Sequence, residues 1–311
     1  MGEKPEGQVV VDVGKWEWSE MWKKEDWWAI WLGLFILLMG VFIYFPHAGD
    51  MQAKLTEIEG KYLADAEKTD KFKTIGWYQL NDARAGVKVS SVPAGKWLKK
   101  FSTKPRGWKS NPLDAFLMTQ EAADAKKAAA MGKAEAASGA EKEALALAQE
   151  AEAQAEAAGF NDTALNEAAQ ASIYDWRGAH RKASSANSKT KVSPYNQIGW
   201  LILLGIFFAV FFGVGMAAMG KSFKEFVIGF SFVYLVAVLA YLASSQATMK
   251  TYGVGYAFWA IFGGMLISNT VGTPKWAMPA VQTEYYIKTG LVLLGASILF
   301  EKIITIGTAG I

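Results

Sequence analysis

Small and polar residues inside two apolar stretches are the positions where this chain could do chemistry. The candidates are Gly263, Gly264, Ser268, Asn269, Gly290 and Gly295. An asparagine amide offers a donor and an acceptor at membrane depth, where polar groups pair inside a helix bundle or line a substrate path. Glycines let a second backbone approach closely. We predict that these six residues lie on a substrate path, and structural pairing within the bundle is the alternative interpretation.

The residue types that enzymes use are scarce or wrongly spaced. The chain has no Cys, which excludes disulfides, thiolate metal sites and Cys nucleophiles. Its two histidines, His47 and His180, are too few for a histidine metal cluster, and no Ser-His-Asp set is spaced for catalysis. The net charge of +3 is too small to indicate nucleic-acid binding. We predict a protein that is not an enzyme, with no cofactor, no metal and no nucleic-acid partner.

Charged residues are distributed unevenly along the 311 residues. Residues 46–197 hold 41 of the 61 charged side chains, whereas residues 198–300 hold seven. This segregation excludes a uniform soluble domain and a disordered chain. It predicts a membrane protein, with the lipid bilayer as its solvent, that carries one large water-facing insertion.

Five apolar stretches are candidates to cross the membrane, and they predict an all-α fold of about five transmembrane helices. The stretches are 27–45, 198–219, 226–245, 253–268 and 286–307. The first contains no charge, is nearly long enough to span the hydrocarbon core and ends at Pro46. The fourth is short and rich in glycine, which is typical of a discontinuous transporter helix or of a plain helix with small residues at a contact.

The stretches divide the chain into four parts. Residues 1–26 form an amphipathic, Trp-rich N-terminal segment, and residues 27–45 form the first transmembrane helix. Residues 46–197 form the insertion, and residues 198–311 form a membrane domain of about four helices.

The insertion has three parts of different composition. Residues 50–75 favour a helix, and residues 76–112 mix aromatics with turn formers and predict an irregular or short-strand region. Beyond them the sequence is rich in alanine and strongly favours helix, with Gly159 as a stop and Asn161 to Thr163 as a new start. We predict a helical hairpin at about 114–184, with helices 114–157 and 163–184.

Two groups of charged residues have a functional and a structural interpretation. A basic-aromatic cluster could bind anionic lipid headgroups or collect anions near a pore, or it could be a solvated face. It comprises Lys96, Trp97, Lys99, Lys100, Lys104, Arg106, Trp108 and Lys109. Glu301 and Lys302 could act in transport, or could form the ion-pairing end of the fifth helix.

The positions of lysines predict the orientation. Lys221 and Lys224 lie in a short loop, and short Lys-rich loops are held in the cytoplasm. This places the N-terminus in the cytoplasm and the insertion outside it. Basic residues before residue 198 argue for the opposite orientation, but long loops translocate largely regardless of charge.

Several segments resemble a family of bacterial membrane proteins known as sulfate exporters. The similarity is most specific in YGVGYAFWAIFGGMLISNTVGTP, in TEYYIKTGLVLLGASILF and in the glycines Gly307 to Gly310. It also includes residues 24–28, the WKSNPL stretch at 108–113 and the triplet Asp175-Trp176-Arg177. The resemblance implies an antiporter-like fold with two inverted repeats and broken helices. In this family a second helical half follows the position of Ile311, so five crossings resemble one repeat.

These observations lead to two hypotheses about function. The first is an inner-membrane transporter of a small anion, working by alternating access when a missing C-terminal half or a second polypeptide completes it. The resemblance implies sulfate or a related sulfur oxyanion. The alternative is a membrane-anchored assembly or scaffolding subunit whose extracytoplasmic hairpin binds a partner. In either case we expect a homo-oligomer.

Overall fold

The computed structural model describes residues 17–88 and 92–309, with side chains up to residue 296. It divides into two compact units. The first contains the residues up to 40, residues 205–235 and the residues from 267 onward, and the second contains residues 41–204 and 236–266. Most of the Trp-rich segment 1–26, the side chains of Glu301 and Lys302, and Gly310 lie outside the described part.

Twelve α-helices and one pair of short strands make up the described chain. The helices are α1 (Glu20–Lys23), α2 (Glu25–Tyr44), α3 (Ala48–Ala66), α4 (Ile75–Gly86), α5 (Pro93–Phe101), α6 (Gln120–Ala157), α7 (Thr163–Thr190), α8 (Ile198–Ala218), α9 (Phe223–Ser245), α10 (Ala247–Thr251), α11 (Tyr256–Thr270) and α12 (Thr283–Ala309). The strands are β1 (Leu117–Met118) and β2 (Tyr195–Asn196), which pair antiparallel.

A helix covers each of the five apolar stretches. Three helical segments are long and apolar enough to cross a membrane: Glu25–Ala66, Ile198–Ala218 and Phe223–Ser245. The chain is therefore a mainly helical membrane protein. The fourth stretch forms a helix of only 15 residues, α11, so the number of crossings stays a prediction.

The helical segment that begins with α2 continues past Pro46 to Ala66. Pro46 lies in a single 3₁₀ turn, Phe45–His47, and α3 follows directly. A proline in the first turn of a helix costs no backbone hydrogen bond, since that turn has no intrahelical partner for its N–H groups.

Aromatic side chains form the core of the first unit, where α2, α8, α9 and α12 pack together. The Phe212 ring on α8 meets the rings of Tyr285 and Tyr286 on α12 edge to face, at 5.4 and 5.0 Å. Tyr285 and Phe226 are fully buried. Gly33 and Gly215 lie where a side chain would collide with Val292 and with Tyr285. Glycine therefore sets the close packing of these helices.

Charged residues gather where α2 and α12 begin. Lys288 Nζ lies 2.6 Å from Asp26, 3.0 Å from Glu284 and 3.6 Å from Glu25. Lys221 Nζ, in the loop before α9, donates to Gln282 at 3.3 Å. The starts of α2 and α12 and the α8–α9 loop therefore share one face of this unit.

The insertion folds around the α6–α7 hairpin, and α3 and α4 pack beside it to form what we call the lobe (residues 48–86 and 120–190). Ala148, Ala155, Ala169 and Ala183 are fully buried between the helices, which confirms the predicted pairing through small alanine faces. Trp176 and the α3–α4 residues Phe72 and Ile75 complete the core.

The hairpin begins later and ends later than predicted. Residues 112–115 form a 3₁₀ turn, and α6 starts after Thr119, whose side chain accepts a hydrogen bond from Ala122 N–H. Asp162 caps α7, and Gly159 takes a left-handed conformation with φ 60° at the turn, as predicted for the helix stop.

The prediction of an irregular or short-strand region at 76–112 holds for residues 102–111, which contain an isolated bridge at Trp108, and was wrong for two helical segments. Residues 75–86 form α4 and residues 93–101 form α5. The turn formers mark helix ends: Gly86 is the last residue of α4, and Pro93 is the first of α5, where its missing N–H costs nothing.

A charged cluster around Asp82 connects α4 with the α6–α7 hairpin. Arg177 Nη1 donates to Asp82 Oδ2 at 2.6 Å, His180 Nε2 lies 3.5 Å from the same oxygen, and His180 Nδ1 lies 2.6 Å from Glu141. The hydrogen bond from Arg177 lowers the pKa of Asp82, and burial opposes this. Because the folded-state pKa is lowered, the stabilisation is present above the unfolded pKa of about 3.9 and is lost as the pH falls through the folded pKa.

We therefore expect Asp82→Asn to flatten the acid side of the lobe's stability profile. At neutral pH the loss should be below about 1 kcal/mol, since the pair is partly exposed. The urea midpoint of the full chain in nanodiscs, monitored by hydrogen exchange in α7 at several pH values, would measure this pH dependence. Asp70→Asn is the control, because Asp70 is exposed and its one ion pair within residues 17–88 and 92–296 is with its neighbour Lys71. Equal acid slopes for Asp82→Asn and the unmodified chain would contradict the expectation.

Candidate functional site

The six predicted path residues lie on α11 and α12. Gly263, Gly264, Gly290 and Gly295 have no atom of the described chain within 4 Å of an added Cβ. Ser268 and Asn269 are exposed in the last turn of α11. Their role in a substrate path stays a prediction.

Trp108 of the insertion is attached to the end of α9. Its backbone N–H donates to Ser245 O at 3.3 Å, and its carbonyl accepts from Ala247 N–H at 2.8 Å. The indole Nε1 donates to Leu242 O at 2.8 Å, and Gln246 Nε2 donates to Lys109 O at 3.2 Å. The exposed carbonyls at the C-terminus of α9 thus receive donors from the insertion, as helix ends require.

A second set of contacts fixes the same segment at the start of α8. The Arg106 guanidinium lies over the Tyr195 ring at 3.9 Å, and Tyr195 OH donates to Asp114 O at 2.5 Å. The Gln197 amide, in the orientation that satisfies both its ends, donates to Lys104 O at 2.7 Å and accepts from Arg106 Nε at 2.5 Å. Residues 104–109 are therefore held by the ends of two predicted crossings, α8 and α9.

These contacts create a cavity of about 350 Å³ that we call the junction pocket. It is bounded by the end of α9, by α10, by the first turn of α11 and by the insertion. Its lining comprises Lys104, Pro105, Tyr241, Ser244, Ser245, Lys250, Gly253, Val254, Gly255 and Tyr256. The rings of Tyr241 and Tyr256 stack at 4.6 Å and form one wall.

The lining of the junction pocket is positively charged. Lys104 and Lys250 contribute ammonium groups, and none of the described residues that line the pocket is Asp or Glu. Neither lysine forms an ion pair within the described chain. Gly107 leaves room for Lys250, whose Nζ would lie 3.2 Å from a Cβ at that position.

The pocket also contains the N-terminus of α11. The first N–H groups of a helix have no intrahelical partner, and the helix dipole adds a partial positive charge there. Gly253, with φ 71°, and Gly255 bring the backbone to the pocket without a side chain between. The hydroxyls of Ser244 and Ser245 donate to Tyr241 O and Leu242 O, and the N–H groups of Gly253 and Val254 donate to Lys250 O and Met249 O. The donors that a ligand would meet are therefore the two lysines, the tyrosine hydroxyls and the N–H groups of the first turn of α11. This chemistry suits a small anion.

The sequence contained only part of this site. Lys104 belongs to the predicted basic-aromatic cluster, and Gly253 and Gly255 belong to the fourth apolar stretch. Lys250 was not singled out, because a single lysine between two apolar stretches is an ordinary loop residue. The approach of Lys104 to Lys250 depends on the attachment at Trp108, which no local pattern predicts.

Comparison with known proteins places the chain beside a group of membrane proteins. Residues 228–311 match the family model described as Conserved hypothetical protein 698. Two UPF0324 membrane proteins of Nitratidesulfovibrio vulgaris are each 46% identical over 307 residues, which is 98% of this chain and 53% of the relative. A UPF0324 membrane protein of Rhodopirellula baltica is 39% identical over 142 residues, 44% of this chain and 26% of the relative.

The similarity to the two Nitratidesulfovibrio vulgaris proteins extends over nearly the whole chain, whereas the predicted resemblance to sulfate exporters was most specific in the C-terminal segments. The chain spans about half the length of the first two relatives. These names describe membrane proteins and state no substrate. No solved structure matches the chain.

Proposed function

We propose that this membrane protein, similar to UPF0324 membrane proteins, contributes to the transport of a small anion across the bacterial inner membrane. The junction pocket carries the proposal. Two lysines without an ion pair in the described chain and a helix N-terminus, with no carboxylate among the described lining residues, produce a positive potential in a cavity large enough for an oxyanion such as sulfate. Preformed backbone donors bind an anion without reorganisation.

The position of the pocket along α11 connects it with the predicted path. Tyr256 begins α11 at the pocket, and Ser268 and Asn269 lie near the other end of the same helix. At about 1.5 Å per residue, Ser268 is about 18 Å from Tyr256 along the helix axis. Gly263 and Gly264 lie between these two residues on the same helix. Enclosing that path requires further helices, from a second polypeptide or from the other half of a longer protein.

The proposal includes an orientation. Lys221, Lys224, Lys275 and Lys288 lie in or beside the short connections that share a face with the start of α2. Short Lys-rich connections are held in the cytoplasm. The N-terminus would then be cytoplasmic, and the insertion with the junction pocket extracytoplasmic.

Anion binding tests the proposal directly. We expect Lys250→Gln and Lys104→Gln each to weaken radiolabelled sulfate binding by the chain in nanodiscs by about tenfold, since each removes a charge-assisted contact worth about 1.4 kcal/mol or more. Lys54→Gln, an exposed lysine of α3, is the matched control and should bind as the unmodified chain does. Equal sulfate binding by all three variants would overturn the assignment of the junction pocket.

Measurements of sulfate flux test the predicted path residues separately from the junction pocket. In proteoliposomes that hold this chain with its completing helices, Asn269→Ala or Gly263→Leu should abolish sulfate flux while sulfate binding at the junction pocket is retained. Unaltered flux would remove these residues from the path.

A scaffolding role is the second candidate, and the lobe favours it. The hairpin carries exposed large side chains, Tyr174, Leu147 and Met131, which anchoring on its own membrane helices does not require. Because β1 pairs with β2, residues 120–191 can be replaced by a short turn that joins the strands. Retained flux with loss of complex formation would favour scaffolding, and loss of flux alone would favour a role of the lobe in transport.

A further inference from the structure

The segment around α5 has an unbalanced charge that the proposed transport does not use. Residues 92–113 contain six Lys or Arg and no Asp or Glu. Lys104 lines the junction pocket, and Arg106 is engaged with Tyr195. The remaining cations, Lys96, Lys99, Lys100 and Lys109, are exposed and form no ion pair within the described chain.

α5 also presents an aromatic surface beside these lysines. The Trp97 and Phe101 rings stack at 5.3 Å, one helical turn apart, and Trp97 is 54% exposed. Gly95 is buried and Leu98 is partly buried, so the other side of the helix packs on the protein. An exposed indole with lysines on both sides is typical of helices that lie in a membrane interface.

The contact between Lys100 and α8 fixes the level of α5 relative to the bilayer. Lys100 Nζ lies 5.2 Å from the centre of the Trp200 ring, in the first turn of α8. α8 is one of the segments apolar enough to cross the membrane, and it starts at Ile198. Tryptophan at the end of a crossing helix lies at the headgroup level. α5 is therefore at the height of the lipid headgroups.

We propose that α5 with Lys96, Lys99, Lys100 and Lys109 binds the headgroups of anionic phospholipids in the leaflet that surrounds the start of α8. The ammonium groups pair with lipid phosphates, and Trp97 inserts between the headgroups. Charge complementarity supports lipid as the occupant, because four lysines that form no ion pair within the described chain would be attracted to any leaflet that contains anionic phospholipid.

The absence of cysteine allows a direct test in the complete chain. Trp97→Cys carries a nitroxide label, and its depth is measured by power saturation in nanodiscs of zwitterionic lipid and in nanodiscs that also contain phosphatidylglycerol. We expect the label to lie deeper, with lower exposure to a water-soluble relaxer, when phosphatidylglycerol is present. Lys96→Cys, with Trp97 intact, provides a second label position if the first variant folds poorly.

Charge substitutions decide whether the lysines cause the shift. The triple variant Lys96→Gln, Lys99→Gln, Lys109→Gln should lose the dependence on phosphatidylglycerol, and native mass spectrometry should show at least fivefold less retained anionic lipid. The matched control neutralises three exposed lysines of α6, Lys126, Lys127 and Lys142, and should behave as the unmodified chain does.

The result that overturns the proposal is a label depth and lipid retention that do not differ between the two triple variants. Sulfate binding at the junction pocket is measured in parallel. Since Lys104 and Lys250 are intact in both triple variants, failure of the lipid proposal and failure of the pocket assignment are distinguishable.

Discussion

Trp176→Ala should destabilise the lobe by about 3–5 kcal/mol, the largest effect that we expect from a single side chain. Trp176 is 2% exposed, packs with Phe72, Ile75 and Ile173, and lies edge-on to Tyr78 at 6.5 Å. The small alanines around it cannot collapse into the cavity that its removal leaves. Urea unfolding of the full chain in nanodiscs, monitored by hydrogen exchange in α6 and α7, measures the loss in the free energy of unfolding.

Tyr174→Ala is the control for this substitution. Tyr174 lies on the same helix but is 77% exposed, so its removal should change the stability of the lobe by less than about 0.5 kcal/mol. Equal hydrogen-exchange protection in the Trp176 and Tyr174 variants would show that the lobe core is not organised around the indole.

Gly215→Ala should disrupt the first unit, at a cost of about 3 kcal/mol. An alanine Cβ would fall inside the van der Waals radius of the Tyr285 hydroxyl and 3.2 Å from the Trp28 ring. Tyr285 is fully buried, so its ring has no free space to enter. We expect a lower yield of folded protein in detergent and a lower thermal midpoint by tryptophan fluorescence.

A second substitution shows whether the clash causes the loss. Tyr285→Phe removes the oxygen nearest to the added methyl and should recover part of the stability of Gly215→Ala, although the ring carbon at 3.0 Å remains. Gly264→Ala is the control, since no atom of the described chain lies within 4 Å of its Cβ. A Gly215→Ala protein as stable as Gly264→Ala would contradict the described packing of α8 on α12.

Helix positions could be read from the sequence wherever one physical signal dominated. Uncharged length predicted the helices of the membrane stretches, and alanine content predicted the α6–α7 hairpin with its turn at Gly159. Residues 76–112 lacked such a signal. Their turn formers were interpreted as an irregular region, which holds around Pro105 and Gly107, whereas Pro93 is the first residue of α5.

The junction pocket could not be predicted, because its two lysines are far apart in the sequence. Their proximity follows from backbone bonds between Trp108 and the end of α9, and from the cation–π contact of Arg106 with Tyr195. The types of these residues indicated interface chemistry. Their partners depend on how the insertion folds back, which neither hydrophobic period nor composition encodes.

The pairing of Trp108 with Gln246 has a mechanical consequence. One continuous stretch of chain, from α5 through residues 104–109 to β1 and the base of α6, is attached by that pairing to the rim of the cavity. Lys104 therefore lies on the same stretch of chain as the base of the hairpin, whereas Lys250 lies on α10. The distance between the two ammonium groups should therefore change when the hairpin moves. A pair of probes at positions 104 and 250 would record that change.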